Sequence, residues 1–100
     1  MFRMGRVGKT KDIAAAIEED KNFAMEVAVA IERYKACDWG DINKEDGLMN
    51  DMAIKSGEGI SASYKTSKGN ILIITAWNRI ATTILFPNEE QEVIAWHNSL

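Results

Sequence analysis

Residues 59–87, GISASYKTSKGNILIITAWNRIATTILFP, decide the fold of this 100-residue chain. The first part alternates apolar and polar residues, which is the period of a strand with one buried face. The middle part is apolar on both faces, as in a central strand, and the last part is a third β-rich run. Turn residues separate the runs, and Pro87 ends the last one. The stretch predicts an antiparallel meander with strands at 60–65, 71–77 and 80–86.

Amphipathic helices are predicted before the meander. The strongest apolar stripe runs from Phe23 to Tyr34 at helical spacing, with Asn22 as the N-cap. A later helix ends at Gly57, a typical C-terminal glycine. The inner face of that later helix is predicted to consist of Leu48, Met49, Met52 and Ala53. The predicted helices cover 11–19, 23–35 and 42–55.

A short element is predicted at each end of the chain. Residues 2–7 form an edge strand that Gly8 ends. Asn88 begins a last helix through a capping box with Gln91, and this helix covers 89–97.

Together these elements predict one α+β domain over residues 1–100, with 89–100 as a short helical extension. The order is (β)ααβββα, with helices packed on one face of a three- to four-stranded antiparallel sheet.

Composition excludes several classes of protein. Hydrophobic residues make up 46% and charged residues 27%, the balance of an ordinary globular protein. Cys37 is the only cysteine, which excludes an internal disulfide, and His97 is the only histidine, which excludes the common structural zinc sites. The basic start runs into acidic residues rather than an apolar core. We therefore expect no signal peptide, no membrane association and a cytoplasmic location.

Motifs for catalysis and ligand binding are incomplete. Residues 8–10, GKT, resemble the end of a phosphate-binding loop, but Arg3 stands where that loop needs glycine. The segment starting at Asp41 resembles a calcium loop, but Met52 occupies the position of the bidentate glutamate. Cys37 has no histidine near it in the sequence. We therefore expect no enzyme activity, no metal and no cofactor.

Charge is distributed unevenly, although the net charge is only −3. Residues 1–11 carry four cations and no acid, and residues 38–51 carry five acids against one lysine. The acids are typical of helix N-termini, but they also predict a protein-binding surface. The predicted protein-binding residues are Asp38, Trp39, Asp41, Glu45, Asp46, Asn50 and Asp51. The alternative nucleic-acid-binding residues are Arg3, Arg6, Lys9 and Lys11.

The three tryptophans have different predicted places. Trp77 ends the central strand and is expected in the core, and Trp96 is expected to anchor the last helix. Trp39 lies in an acidic turn, where it either plugs the edge of the core or is exposed as an interface anchor. The sequence leaves both alternatives open.

Two patterns carry a resemblance to a known family. DWGD at 38–41 is followed by Glu45-Asp46 and Asn50-Asp51, and TTILFP occupies 82–87. Together they resemble a widespread family of small plasmid-related proteins carried by plasmids, integrative elements and phages. The resemblance covers about residues 2–90, and residues 76–79 depart from it. It implies a mobile-element context rather than an activity.

Three functions follow as hypotheses. The first is a non-enzymatic protein-binding inhibitor of a host defence nuclease, of the anti-CRISPR or anti-restriction type, acting through residues 38–51. The second is a nucleic-acid-binding accessory protein that uses the basic N-terminal arm. The third is a small-ligand-binding or enzymatic domain with a pocket between helices and sheet. A homodimer formed through an exposed strand edge is compatible with all three.

Overall fold

The structure, a computed structural model, describes residues 2–100, which form one four-stranded sheet and four α-helices. The strands are β1 (Arg6–Lys9), β2 (Ile60–Thr66), β3 (Gly69–Thr75) and β4 (Ala81–Leu85). The helices are α1 (Lys11–Glu19), α2 (Lys21–Lys35), α3 (Lys44–Ser56) and α4 (Glu90–Asn98). The α+β class is confirmed. Three helices precede the meander, one more than the order (β)ααβββα contains.

The sheet is mixed, not wholly antiparallel as predicted. Its strand order is β1-β4-β3-β2, and β2, β3 and β4 form the predicted antiparallel meander. β1 runs parallel to β4, with Arg6 opposite Ala81 and Lys9 opposite Ile84. Parallel neighbours need a long connection, which the intervening helices and strands supply. All four residues of β1 are exposed, and its direction depends on pairing with β4, which is distant in sequence.

Gly5 precedes β1, and Gly8 does not end the strand as predicted. The φ of Gly5 is +64°, and a Cβ there would lie 2.3 Å from a carbonyl oxygen of the β3–β4 turn. Gly8 lies inside β1, and a Cβ added to it would meet none of the described atoms within 4 Å. The strand predicted at 2–7 therefore begins later, and Phe2 and Met4 pack against the core from the segment that precedes it.

Helices α1 and α2 pack on one face of the sheet and form the main core. Phe23 and Tyr34 of α2 are fully buried against strand residues such as Ile73. Asp20 is the N-cap of α2, because its Oδ1 accepts from the backbone N–H groups of Asn22 and Phe23 at 2.9 and 3.1 Å. The prediction that Asn22 is this cap is wrong. Burying a ring such as that of Phe23 stabilises the fold by roughly 2–3 kcal/mol.

A chain of buried hydroxyl groups joins α2 to the sheet and to the N-terminal segment. Tyr34 Oη lies 2.7 Å from Thr75 Oγ1, which lies 2.7 Å from Thr82 Oγ1. The Thr82 hydroxyl donates to the carbonyl oxygen of Met4 at 2.7 Å. Burial raises the pKa of the Tyr34 hydroxyl, so that this group stays a neutral donor. The three linked hydroxyl groups, those of Tyr34, Thr75 and Thr82, each have a hydrogen-bond partner, as buried polar groups require.

Helix α4 lies on the opposite face of the sheet, which corrects the prediction that all helices share one face. Val93 packs against Ile74 and Leu85 there. Strand side chains alternate between the two faces, so Ile74 and Leu85 point away from the main core. His97 lies on the same face, with Nε2 2.9 Å from Thr83 Oγ1.

Helix α4 follows a 3-10 turn over Pro87–Glu89 and not the predicted capping box. Glu89 Oε1 accepts from the Phe86 N–H and from the Thr10 hydroxyl, each at 2.9 Å. Thr10 is itself the N-cap of α1. A single carboxylate therefore joins the beginnings of two helices, and the predicted cap residue Asn88 plays no such part.

Candidate functional site

The acidic segment 38–51 lies against β2, the strand at one edge of the sheet, and we call it the edge strap. The backbone N–H of Asp41 donates to the Ser63 carbonyl at 2.7 Å, and Asp41 Oδ2 accepts from the Lys65 N–H at 3.1 Å. Gly40 has a φ of +73°, and a Cβ there would lie 2.2 Å from the Ser63 carbonyl oxygen. Only glycine permits this approach. The strap supplies hydrogen-bond partners that an edge strand otherwise lacks.

Asn50 continues the cover of β2 from within α3. Its side chain is buried; Nδ2 donates to the Ser61 carbonyl at 2.8 Å, and Oδ1 accepts from the Ser61 N–H at 3.3 Å. A side-chain amide presents a donor and an acceptor side by side, as the backbone of a neighbouring strand does. Asn50 therefore acts as a strand partner for Ser61.

Trp39 plugs the edge of the core and is not an exposed interface anchor. Its side chain is only 7% exposed and lies beside the rings of Phe2 and Tyr34, with centroids at 5.8 and 5.5 Å. Its indole Nε1 donates to Asp51 Oδ1 at 3.0 Å, which satisfies the one polar group of the ring. Trp39 and Asp51 therefore contribute mainly to the fold.

Asp38 fixes the beginning of the edge strap. Arg33 donates to both of its carboxylate oxygens, at 2.7 Å from Nε and 3.2 Å from Nη2, and the Gly40 N–H donates at 3.2 Å. The side-chain hydrogen bond from Arg33, followed by the Gly40 N–H, lowers the pKa of the Asp38 carboxyl. The Tyr64 hydroxyl donates to the Asp38 carbonyl at 2.7 Å.

Helix α3 turns its large apolar side chains outward, which reverses part of the prediction. Leu48, Met49 and Met52 are exposed, Met52 by 69%, whereas Asn50 and Ala53 are the buried residues. The prediction that the first three form an inner face is wrong, because the polar Asn50 side chain pairs with the sheet edge and sets the rotation of the helix. Exposed apolar patches of this kind mark binding surfaces.

Two acids of the edge strap remain available beside this apolar face. The carboxylates of Glu45 and Asp46 make no hydrogen bond or ion pair within residues 2–100, and both residues are exposed. They occupy the first turn of α3, which Asn43 caps by accepting from the Asp46 N–H at 2.8 Å. Of the seven predicted protein-binding residues, only these two have no internal side-chain contact of this kind.

The outward face of α3 was not predicted from the sequence as a candidate binding surface. The available signal was that apolar residues occur on more than one side of the helix, so that no single stripe could bury them all. Leu48, Met49 and Met52 together with Glu45 and Asp46 form what we call the α3 surface.

The four basic residues lie at the opposite edge of the sheet. Arg6 and Lys9 are on β1, Lys11 begins α1, and Arg3 precedes the strand; all are exposed. Within the part of the chain that the structure describes, none of the four forms an ion pair. Arg6, Lys9 and Trp96 line a groove of about 130 Å³.

Two of the three tryptophans lie on the surface. Trp77 is 58% exposed, so the prediction that it belongs to the core is wrong. β3 ends at Thr75, and Trp77 lies in the turn that follows, where no sheet neighbour fixes the side it faces. Trp96 is half exposed, and the residues of α4 that are buried are Val93 and His97. Trp96 is therefore not the anchor of the helix.

Residues that could perform chemistry are dispersed. Within residues 2–100, no three side chains of His, Cys, Asp or Glu are grouped to hold a metal ion. Cys37 is partly buried at the main core and His97 packs on the opposite face of the sheet, so they form no catalytic pair. None of the helices in the same residues has the length and apolar content that crossing a bilayer requires.

Comparison with protein families, curated proteins and solved structures finds no match to this chain. A proposal about function therefore depends on the geometry of the α3 surface, the basic edge and the cavities, together with the sequence patterns.

Proposed function

We propose that this chain is a small non-enzymatic protein-binding accessory protein of a mobile genetic element, and that it inhibits a host defence nuclease of the anti-CRISPR or anti-restriction type. The observation that carries the proposal is the α3 surface. Three large apolar side chains lie on it without cover from the fold.

The apolar part of the α3 surface is suited to a protein partner. Met49 and Met52 are flexible thioethers that adapt to irregular pockets, and Leu48 adds a branched side chain beside them. Met52 follows Leu48 by four positions, so the two are neighbours on one helical face. Such a helix face in a groove is a recurrent mode of protein recognition.

The acidic part of the α3 surface favours a basic partner. The whole edge strap carries a net charge of −4, and Glu45 and Asp46 have no internal partner within residues 2–100. Complementary charge accelerates association and excludes wrong partners. Nucleases present basic surfaces where nucleic acid binds, so an apolar pocket ringed by lysine and arginine on such an enzyme fits this surface.

The choice of a nuclease rests on the sequence patterns. Mobile elements carry accessory proteins for transfer, copy control, addiction and defeat of host defence, and this chain resembles proteins of such elements. It lacks a helix-turn-helix pattern with a basic recognition helix, which disfavours a repressor. An acidic protein that acts by binding another protein remains, and this class matches both the charge of the chain and the exposed face of α3.

A plasmid-protection assay tests the proposal. Cells with an active CRISPR or restriction nuclease receive a targeted plasmid, and transformation is counted with and without this protein. We expect protection from the parent chain and from Met25→Glu, but none from Met52→Glu. Met25 on α2 is the matched control because it is also 69% exposed.

The assay separates two failures. Absence of protection by the parent chain against every nuclease tried argues against the inhibitor proposal. Protection that survives Met49→Glu and Met52→Glu together places the interface elsewhere. A contact at the centre of an interface contributes about 2 kcal/mol or more, so its loss weakens binding roughly 30-fold.

Nucleic-acid binding is a second candidate, favoured by the groove beside β1. Trp96 offers a flat ring on which a base stacks, and Arg6 and Lys9 lie in the same groove. With Arg3 and Lys11, four cations would neutralise about four phosphates, so on single-stranded DNA the logarithm of affinity falls by roughly 3 per decade of salt. Filter binding of single-stranded DNA at several salt concentrations measures that slope, and no binding at low salt would remove this candidate.

A further inference from the structure

A cavity of about 250 Å³ lies between α4 and the outer face of the sheet. Its floor is formed by β2 and β3, including Ile74, and its walls by Trp77 on one side and Ile94 on the other. Over β2 this face of the sheet carries Ser61 and Ser63, small residues that are not part of either apolar cluster. The cavity is therefore open to solvent along β2, and α4 lines it with Ile94 beside the polar residues Glu90, His97 and Asn98.

The walls of the cavity expose apolar surface that the fold does not cover. Trp77 is 58% and Ile94 is 42% exposed. An indole ring and a branched aliphatic side chain that line one cavity form a slot suited to a flat apolar group. A ligand in the slot would remove both side chains from water, and that burial favours binding.

The polar groups of the cavity select the charge of the ligand. Glu90 lines it, and its carboxylate has no hydrogen-bond or ion-pair partner within residues 2–100. His97, 3% exposed, also lines it, and its Nδ1 has no partner among the described residues. Burial lowers the pKa of His97, so the ring is neutral at pH 7 and does not repel a cation.

None of the lysine and arginine side chains of residues 2–100 lines the cavity or pairs with Glu90. Arg79 is not among the residues that line the cavity. Its guanidinium donates to the carbonyl groups of Ala53 and Glu58 at 2.8 and 2.6 Å, and more weakly to those of Ala76 and Trp77. Glu90 is therefore the charge that a ligand entering the slot would meet.

We propose that this cavity binds a small organic cation with a flat apolar body, of the aromatic amine class, with the body between Trp77 and Ile94 and the ammonium group at Glu90. An aromatic wall also attracts a cation directly. The same carboxylate disfavours anionic aromatics. This site is separate from the α3 surface and does not depend on the proposed function.

Nuclear magnetic resonance of the full-length ¹⁵N-labelled chain tests the site with three matched probes. The probes are 1-naphthylmethylamine, 1-naphthylmethanol and 1-naphthoate, which share one ring system and differ in charge. We expect amide shifts at Ser61, Ala76 and Ile94, and a dissociation constant for the amine that is roughly millimolar, as is usual for ligands of this size. The alcohol should bind about fivefold more weakly, as expected for an exposed ion pair, and the naphthoate more weakly still.

Variants of three residues that are not buried separate binding at this site from nonspecific binding. Glu90→Gln should remove the preference for the amine over the alcohol and leave alcohol binding unchanged. Trp77→Ala should weaken all three probes, whereas Trp96→Ala, a change to a comparably exposed indole outside the cavity, should weaken none. Amide shifts that are absent or scattered over the surface, an alcohol that binds as tightly as the amine, or equal effects of the two tryptophan variants would overturn the proposal.

Discussion

The two edges of the sheet are protected in different ways. At the β2 edge, Asp41 and Asn50 of the edge strap supply donors and acceptors to successive outward-facing residues of the strand. At the β1 edge, the inward-facing N–H groups of Arg6 and Thr10 donate to the carbonyls of Ile80 and Ile84, and the backbone groups of the alternate residues Val7 and Lys9 face away from the sheet. Within residues 2–100 no strap covers that edge, and its basic side chains oppose pairing with another strand.

The difference explains why a motif that looks like a binding surface is largely structural. Covering a strand edge requires side chains with hydrogen-bonding oxygen atoms at fixed positions, and Asp and Asn provide them. The negative charge of the edge strap is then a consequence of using aspartate side chains to cover the strand edge. Only Glu45 and Asp46 lie outside it, and they join the apolar side chains of α3 to form the surface for which we propose a partner.

The largest effect is expected from substituting one glycine at each edge of the sheet. Gly40→Ala would force a Cβ into the Ser63 carbonyl, and we expect it to lower the free energy of unfolding by about 3 kcal/mol. Gly8→Ala in β1 is the matched control, since a Cβ there meets none of the described atoms within 4 Å and should change stability by less than about 0.5 kcal/mol. Urea unfolding measures both, and equal effects would show that the strap does not approach β2 as described.

The next effect is expected from the amide in α3. Asn50→Ala removes both partners of Ser61 and should lower the free energy of unfolding by about 2 kcal/mol. Asn22→Ala, at an exposed asparagine whose side chain makes no hydrogen bond within residues 2–100, is the control and should be nearly neutral. Urea unfolding of both variants measures the difference. If Asn50→Ala left the free energy of unfolding unchanged, β2 would not depend on Asn50 as a hydrogen-bond partner.

A smaller effect depends on pH. Because the pKa of Asp38 is lowered in the fold, its ion pair stabilises the protein above the ordinary pKa of 3.8. That stability is lost as the pH falls through the lowered pKa. The pair is about half exposed, so we expect under about 1 kcal/mol. Asp38→Asn should unfold more easily than the parent at pH 7 and equally at low pH, with Glu45→Gln unchanged; a constant difference at every pH would refute this.

The smallest effect on stability is expected at the open edge. Arg6→Thr combined with Lys9→Thr removes the charges from β1 and should leave the free energy of unfolding within about 0.5 kcal/mol. Self-association should increase, because an uncharged open edge pairs readily. Sedimentation at rising protein concentration measures it. A double variant that associates no more than the parent would show that charge does not protect this edge.

Local periodicity was sufficient to predict most elements of the fold. Helix α1 and the C-terminal glycine of α3 were predicted at their observed positions. The bounds of α2 and of the three strands of the meander were predicted to within a few residues. These features depend on residues close in sequence, whose spacing of 3.6 or 2 reflects one buried face.

The remaining features depend on contacts distant in sequence. Asn50 reverses the expected rotation of α3 because its partner, Ser61, belongs to a strand edge that only the folded sheet defines. The direction of β1 depends on β4, more than seventy residues away. Arg79, in the turn between β3 and β4, donates to the Ala53 carbonyl and so holds the end of α3. Hydropathy patterns do not encode such polar partners.

Amide hydrogen exchange at the two edges tests the central claim most directly, namely that the acidic edge strap covers β2 while β1 stays open. We predict slow exchange at Ser61 and Lys65, whose N–H groups bond to Asn50 and Asp41, and fast exchange at Val7 and Lys9. Comparable exchange at the two edges, or faster exchange on β2, would contradict the account. The acids of the edge strap would then again be candidate protein-binding residues.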